Sequence, residues 1–162
     1  SDFIKKIIGQ KTDVIASGFT GSFVTMACHN EKELFNKIML VNPPGLTQLK
    51  QMPNKKDRLL KTALEIPIFG TLIYHMIVSR DNVNNLFIEK MYYNPFHVDN
   101  QMADAYYEAA HKGGFYTRFL YSSLAAKYIN INICHALKAL DNSIYIVEGE
   151  TETNGKAVTY EY

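Results

Sequence analysis

The sequence carries little net charge, little cysteine and no long apolar run, and each shortage closes off a class of function. Seventeen Lys and Arg stand against sixteen Asp and Glu, a formal charge of +1, so no basic surface is expected to draw nucleic acid or an anionic membrane. The two cysteines, Cys28 and Cys134, are too few for a disulfide framework. Both lie in apolar helical contexts and read as buried free thiols, which fits a reducing, cytoplasmic setting. No stretch approaches the ~18 apolar residues of a membrane span, and the opening SDFIKKIIGQ lacks the charged-then-apolar layout of a signal peptide. No two of the five histidines have metal-ligand spacing, so neither a metal nor another cofactor is expected. What remains is 162 residues, 47% of them hydrophobic, with room for one ordinary domain or part of a larger one. Ser1 opens inside a predicted helix (residues 2–10), the expectation for a piece of a longer chain.

The stretch around which the chain is organised is residues 12–45. Residues 14–17 and 38–41 are continuous apolar runs, the pattern of parallel strands covered on both faces. Between them lie the tight turn Gly18-Phe19-Thr20-Gly21-Ser22, a helix over 23–29 and a helical turn over 31–36. Together they predict a βαβ unit, which Pro43-Pro44-Gly45 then terminates.

From residue 46 to about 140 the sequence is helical almost throughout, broken at Pro53-Asn54, Pro67, Asn94-Pro95 and Gly113-Gly114. Apolar residues recur at three and four within residues 58–64, 68–78, 83–91, 102–111, 115–128 and 131–140. Eight of the eleven tyrosines fall in this region, Tyr74, Tyr106 and Tyr107 among them. A tyrosine suits a pocket that excludes water and orients a ligand, but it equally suits half-buried packing between helices. The strand pattern returns at 143–147 (SIYIV), followed by Glu148, Glu150 and Glu152. Three carboxylates so close together also read as a solvated loop.

The pentapeptide GFTGS has small residues two before and two after Thr20, the steric requirement of G-x-S-x-G, in which a nucleophile sits in strained geometry between strand and helix. With the helix, the strand ending in Val-Asn-Pro, the helical insertion and the returning strand, the chain resembles the α/β-hydrolase family. The resemblance implies a partial α/β-hydrolase fold of about three parallel strands with a large all-helical cap. The core would comprise residues 1–45 with the elbow and 141–162 with the acid loop, and the cap residues 46–140. It implies Thr20 at the nucleophile position, Glu152 at the acid position and the N–H of Gly21 as half of an oxyanion hole. Phe19, Tyr74, Tyr106 and Tyr107 would contact the substrate. The family's chain order is nucleophile, acid, histidine, and His29, His75, His97, His111 and His135 all precede Glu152. Each therefore reads as a surface or satisfied helical residue, and the catalytic histidine is absent from this chain. Missing too, in the family's frame, are the earlier strands, which would leave residues 14–17 as an open apolar edge prone to self-association.

Three readings follow. The first is an α/β-hydrolase-type protein whose full-length form hydrolyses a small, largely apolar ester or related acyl compound, with this chain alone inactive. The second is a non-catalytic relative that binds a small ligand or a protein partner, favoured by threonine in place of serine. The third is a mostly helical domain with a chance βαβ unit, in which SIYIV does not pair alongside IMLV.

Overall fold

The computed structural model describes residues 1–149 and 158–162. A π-helical turn (Ile4–Ile8) leads into β1 (Thr12–Ser17), α1 (Thr20–Asn30) and β2 (Phe35–Val41). Then come α2 (Leu46–Leu49), α3 (Lys55–Glu65), α4 (Phe69–Ile77), α5 (Arg80–Leu86), α6 (Asn100–His111), α7 (Thr117–Ala125) and α8 (Cys134–Ala139). The last strand is β3 (Ser143–Val147). The protein is of mixed α/β class, with a parallel three-stranded sheet in the order β1-β2-β3. Two compact units divide the chain: Ser1–Met52 with Ile129–Tyr162 holds the sheet, and Pro53–Tyr128 is helical.

In the sheet unit β2 is the centre. Ile38 pairs with Val14 on one side and Ile144 on the other, and Leu40 pairs with Ala16 and Ile146. SIYIV therefore lies directly alongside IMLV, which excludes the reading of a helical domain with a chance βαβ unit. Ile38 and Leu40 are completely buried and form a core with Phe35, Ala16 and Cys28. Gly21 lets α1 approach this core closely, since a Cβ there would stand 3.1 Å from Leu40 Cδ2. β2 begins at Phe35, inside the span predicted as a helical turn. A 3₁₀ turn over Lys32–Leu34 occupies only part of that span.

The apolar runs predict strands covered on both faces, and among the described elements of the sheet unit the helices lie on one face. Parallel crossovers are of one hand in nearly all proteins, so two that advance in the same direction bring their helices to the same side of the sheet. α1 and α8 accordingly touch each other. By strand alternation Ile15, Met39 and Tyr145 form one row on the opposite face, where Ile15 is 71% and Tyr145 48% exposed.

Leu46–Met52 and Ile129–Leu140 pack with the sheet unit rather than with the helical one. Leu46, Leu49 and Ile133 make a second small core there, and the Asn130 amide donates to the carbonyls of Gln48 (2.8 Å) and Gln51 (2.9 Å). α8 starts at Cys134, where the Asn132 side chain accepts from the Cys134 N–H at 3.2 Å. The apolar residues Ile131 and Ile133 before it serve packing without being helical.

In the helical unit α3, α5 and α6 start on a polar side chain: Asn54, Ser79 and Asp99. Asn54 accepts from the N–H groups of Lys56 and Asp57, and Asp57 accepts in return from the Asn54 N–H, a reciprocal cap on α3. Asp99 caps α6 through the Gln101 N–H at 2.9 Å. α3, α4 and α7 pack on one another across a polar seam: Arg118, 5% exposed, donates to Thr71 Oγ1 (2.7 Å), and the fully buried Ser122 donates to Glu65 (2.8 Å). Lys61 pairs with the same carboxylate, and the Lys61 and Ser122 bonds hold the Glu65 pKa below its ordinary value. A γ-turn precedes α4. Ile68 takes φ +66°, ψ −64°, and the Phe69 N–H donates to the Pro67 carbonyl at 2.8 Å. This turn brings the α4 start so near the end of α3 that a Cβ on Gly70 would lie 2.0 Å from the Leu64 carbonyl oxygen. Gly70→Ala is therefore expected to destabilise the protein by about 1–3 kcal/mol. A lowered urea midpoint by circular dichroism is the check, and an unchanged midpoint would show that the α3–α4 contact yields freely.

Candidate functional site

Ligands of open parallel α/β sheets bind beyond the carboxyl ends of the strands, and in the sheet unit those ends carry Thr20, Asn42 and Glu148. The turn after β1 is tight because Gly18 takes φ +56° while its N–H donates to the Val41 carbonyl at 2.9 Å, extending the ladder by one bond. The left-handed residue is thus Gly18, two positions before the threonine. Phe19 is already right-handed helical (φ −60°, ψ −24°), and Thr20 is the first residue of α1 and not among the positive-φ residues. The strained backbone expected at Thr20 is absent. Its β-branched side chain disfavours positive φ, and the glycine takes it at no steric cost.

The polar groups of the turn satisfy one another. Thr20 Oγ1 donates to the Ser17 carbonyl (2.7 Å) and Ser22 Oγ to the Phe19 carbonyl (2.7 Å). The Gly21 N–H, the expected oxyanion donor, is directed at the Gly18 carbonyl at 3.1 Å. A hydroxyl whose proton goes to a backbone carbonyl is not activated as a nucleophile, for which a neighbouring base must accept that proton. Phe19 packs against the small core of Leu46, Leu49 and Ile133.

Around these ends the last described residues fold back. Glu161 accepts from the Thr47 N–H at 2.6 Å and so covers the start of α2, and Thr159 donates to Glu148, the residue after β3. Tyr162 packs against both cores of the sheet unit and donates its hydroxyl to the Pro44 carbonyl at 3.0 Å. Asn42 takes φ +45° and donates its N–H to the Val147 carbonyl at 2.8 Å. Glu148 is thus the acidic group at the end of β3 among the described residues; Glu152 lies outside them.

The three tyrosines expected at the substrate belong to the helical unit. Tyr74 is 5% exposed and spends its hydroxyl on the Ala110 carbonyl at 2.7 Å. Its ring meets Tyr121, His75 and His111. Tyr107 lies 4.3 Å from the His111 ring, centroid to centroid, and Tyr106 sets an edge against Phe87 while remaining 46% exposed. Tyr74 and Tyr107 thus meet at His111, and both are packing residues.

Four of the histidines form two pairs that sequence spacing did not reveal. His75 and His111 stack at 4.9 Å, and His29 meets His135 edge-on at 5.5 Å. His111 Nδ1 is 2.8 Å from the Tyr107 carbonyl. His29 sits at the far end of α1 from Thr20, on the order of 14 Å away at 1.5 Å per residue, beyond reach of its hydroxyl. Among the described residues no three His, Cys, Asp or Glu side chains are grouped to hold a metal ion, and no helix is long and apolar enough to cross a membrane. Cys28 and Cys134 are free thiols, and burial pushes the Cys28 thiol pKa up.

Fold and site define a mixed α/β protein with a parallel sheet and a self-satisfied strand-to-helix turn. No protein-family model matches the chain, and no curated protein matches it in sequence.

Burial, with the charges of Glu161 and other neighbours, raises the Tyr162 hydroxyl pKa from 10.0 to about 12. A folded-state pKa above the unfolded one contributes stability that is complete below pH 10 and lost as pH rises toward 12. Alkaline unfolding followed by circular dichroism is expected to set in above pH 10, and Tyr162→Phe is expected to flatten its pH dependence between those values. An identical profile for the variant would mean that another group governs it.

Proposed function

We propose that the chain belongs to an α/β-hydrolase-type protein that handles a small, largely apolar ester or related acyl compound at the carboxyl ends of its strands. Thr20 stands at the nucleophile position and residues 1–162 alone are catalytically silent. One observation supports the architecture above the others: β1, a glycine-initiated tight turn, α1 and β2 are followed by a helical insertion before β3 returns to pair beside β2. The silence follows from the turn, where Thr20 Oγ1 donates to the Ser17 carbonyl and the Gly21 N–H to the Gly18 carbonyl. Hydrolysis in a longer form then requires a histidine that displaces the first bond, an acid to orient it, in the family's frame Glu152, and freeing of the Gly21 N–H.

The same hydroxyl geometry favours a second reading, a non-catalytic relative that binds its ligand without turnover. A threonine whose proton is committed to the strand's last carbonyl loses nothing in a binding protein. Turnover by the full-length form that Thr20→Ala abolishes would assign the protein to the first reading; a full-length form that turns over only after Thr20→Ser would belong to the second, as a relative that has recently lost catalysis.

The isolated chain is expected to leave short-chain nitrophenyl esters unhydrolysed above the buffer rate, without a burst of nitrophenol. Turnover abolished by Thr20→Ala would mean that residues 1–162 hold the whole machinery and would overturn the proposal.

A further inference from the structure

His111, the last residue of α6, carries a buried basic nitrogen that the fold leaves unused. Its Nδ1 lies 2.8 Å from the Tyr107 carbonyl, one turn back in the same helix. A carbonyl only accepts, so in the neutral ring the proton sits on Nδ1 and the lone pair on Nε2. That Nε2 is shielded from solvent and has no hydrogen-bond partner among the described residues. An acceptor buried in this way loses its hydration and gains nothing in return, unless a water or an ion completes it.

The surroundings of the ring favour an ion. Tyr107 lies 4.3 Å away, His75 4.9 Å and Tyr74 5.8 Å, centroid to centroid, and all belong to the helical unit. The Tyr74 hydroxyl is committed to the Ala110 carbonyl at 2.7 Å. Of these neighbours only His75 has a ring nitrogen to offer, and it stacks on His111 at 21° from parallel. The bond behind His111 is also that of a metal ligand. A ligating imidazole keeps its tautomer by giving its other N–H to a carbonyl or carboxylate, which raises the basicity of the free nitrogen.

We propose that His111 Nε2 and a ring nitrogen of His75 bind a borderline divalent transition-metal ion of the zinc class, which clips α4 to α6. Imidazole suits Zn²⁺, Cu²⁺ and Ni²⁺, whereas Mg²⁺ and Ca²⁺ take oxygen ligands. His75 is exposed, so its ring turns about its own side-chain bonds and admits the ion without moving a helix. Two imidazoles fill half of a tetrahedral sphere and leave the rest to water or to another molecule. The ion reinforces a junction already made by Tyr74, whose ring meets His111 and whose hydroxyl holds the Ala110 carbonyl. Sequence spacing does not announce such a site, because its two ligands come from different helices. The second histidine pair lacks this arrangement. His29 Nδ1 is also buried without a partner, but the His29 and His135 rings stand at 90° and no hydrogen bond among the described residues fixes either tautomer.

The test is calorimetric titration of the metal-free 162-residue chain with Zn²⁺, and with Mg²⁺ for comparison. A single Zn²⁺ and no Mg²⁺ are expected to bind, and saturating Zn²⁺ is expected to raise the urea midpoint. His75→Ala is expected to weaken Zn²⁺ binding roughly tenfold or more, since even partners that stand behind a ligand are worth that much. The side chain it removes is exposed, so the circular dichroism spectrum is expected to stay unchanged while the zinc-induced rise in midpoint is lost. His135→Ala, in the other pair, is expected to bind Zn²⁺ as the parent chain does. No saturable Zn²⁺ binding, which would leave a water alone at Nε2, would overturn the proposal. So would equal binding of Mg²⁺, unchanged affinity in His75→Ala, or a matching loss in His135→Ala.

Discussion

The sheet unit depends on β2, because among the described strands it alone is hydrogen-bonded along both edges and holds the wholly buried strand side chains, Ile38 and Leu40. Burying each contributes about 1.5–3 kcal/mol, and α1 reaches them only because residue 21 has no Cβ. The start of the ladder is fixed from the other end of the chain. Asn142, one residue before β3, donates its amide to the carbonyls of Phe35 (2.8 Å) and Asn36 (3.3 Å) and accepts from the Cys28 thiol at 3.5 Å. One side chain therefore ties α1, β2 and β3 together and sets the register that begins with Lys37 opposite Ser143. An insertion of more than 90 residues can separate β2 from β3 because this pinning does not depend on what lies between them.

How far the fold was legible in the sequence follows from how locally each feature is determined. Residues 14–17, 38–41 and 143–147 announce themselves because each is a short, nearly continuous apolar run bounded by turn residues, which marks a strand whether or not its second face is covered. Asn36 and Lys37 do not. They are exposed, and they belong to β2 through residues distant in sequence: Asp13 binds both of them, Asn142 holds the Asn36 carbonyl and Ser143 pairs with Lys37. The same limit hides which face of the sheet is open. Ile15, Met39 and Tyr145 are as apolar as their covered neighbours, and only the direction of successive crossovers decides that α1 and α8 lie on the other side. Cap chemistry was the reverse case, since Asn54 and Asp57 bind across three residues and the break at Pro53-Asn54 already marked the start of α3.

The turn Gly18-Phe19-Thr20-Gly21-Ser22 was legible as a turn, but not in which of its residues takes the left-handed backbone. Small residues on either side of Thr20 permit a sharp strand-to-helix corner, but spacing does not say which residue takes the left-handed backbone. Gly18 pays the smaller conformational penalty, so the corner is made there and the threonine enters the helix with ordinary geometry. Once helical, its hydroxyl has the Ser17 carbonyl within reach three residues back, as short polar side chains near helix starts so often do. Threonine at this position and a relaxed turn are thus one fact seen twice.

The tyrosines and histidines of the helical unit separate by what their polar tips do. A buried phenol must find an acceptor or forfeit its hydrogen bond, and Tyr74 has found the Ala110 carbonyl while its ring fills the space shared by Tyr121, His75 and His111. Such a residue is committed to packing. Tyr106 is different: its ring edge rests on Phe87, yet nearly half of its surface stays outside, so it can meet another molecule without dismantling a core. The two histidine pairs were invisible because each joins residues far apart in sequence, His29 to His135 and His75 to His111. The imidazole rings meet through helix packing, and no local spacing encodes that. Of the three tyrosines that the resemblance assigns to a ligand in this unit, Tyr106 is the most exposed and Tyr74 the most buried.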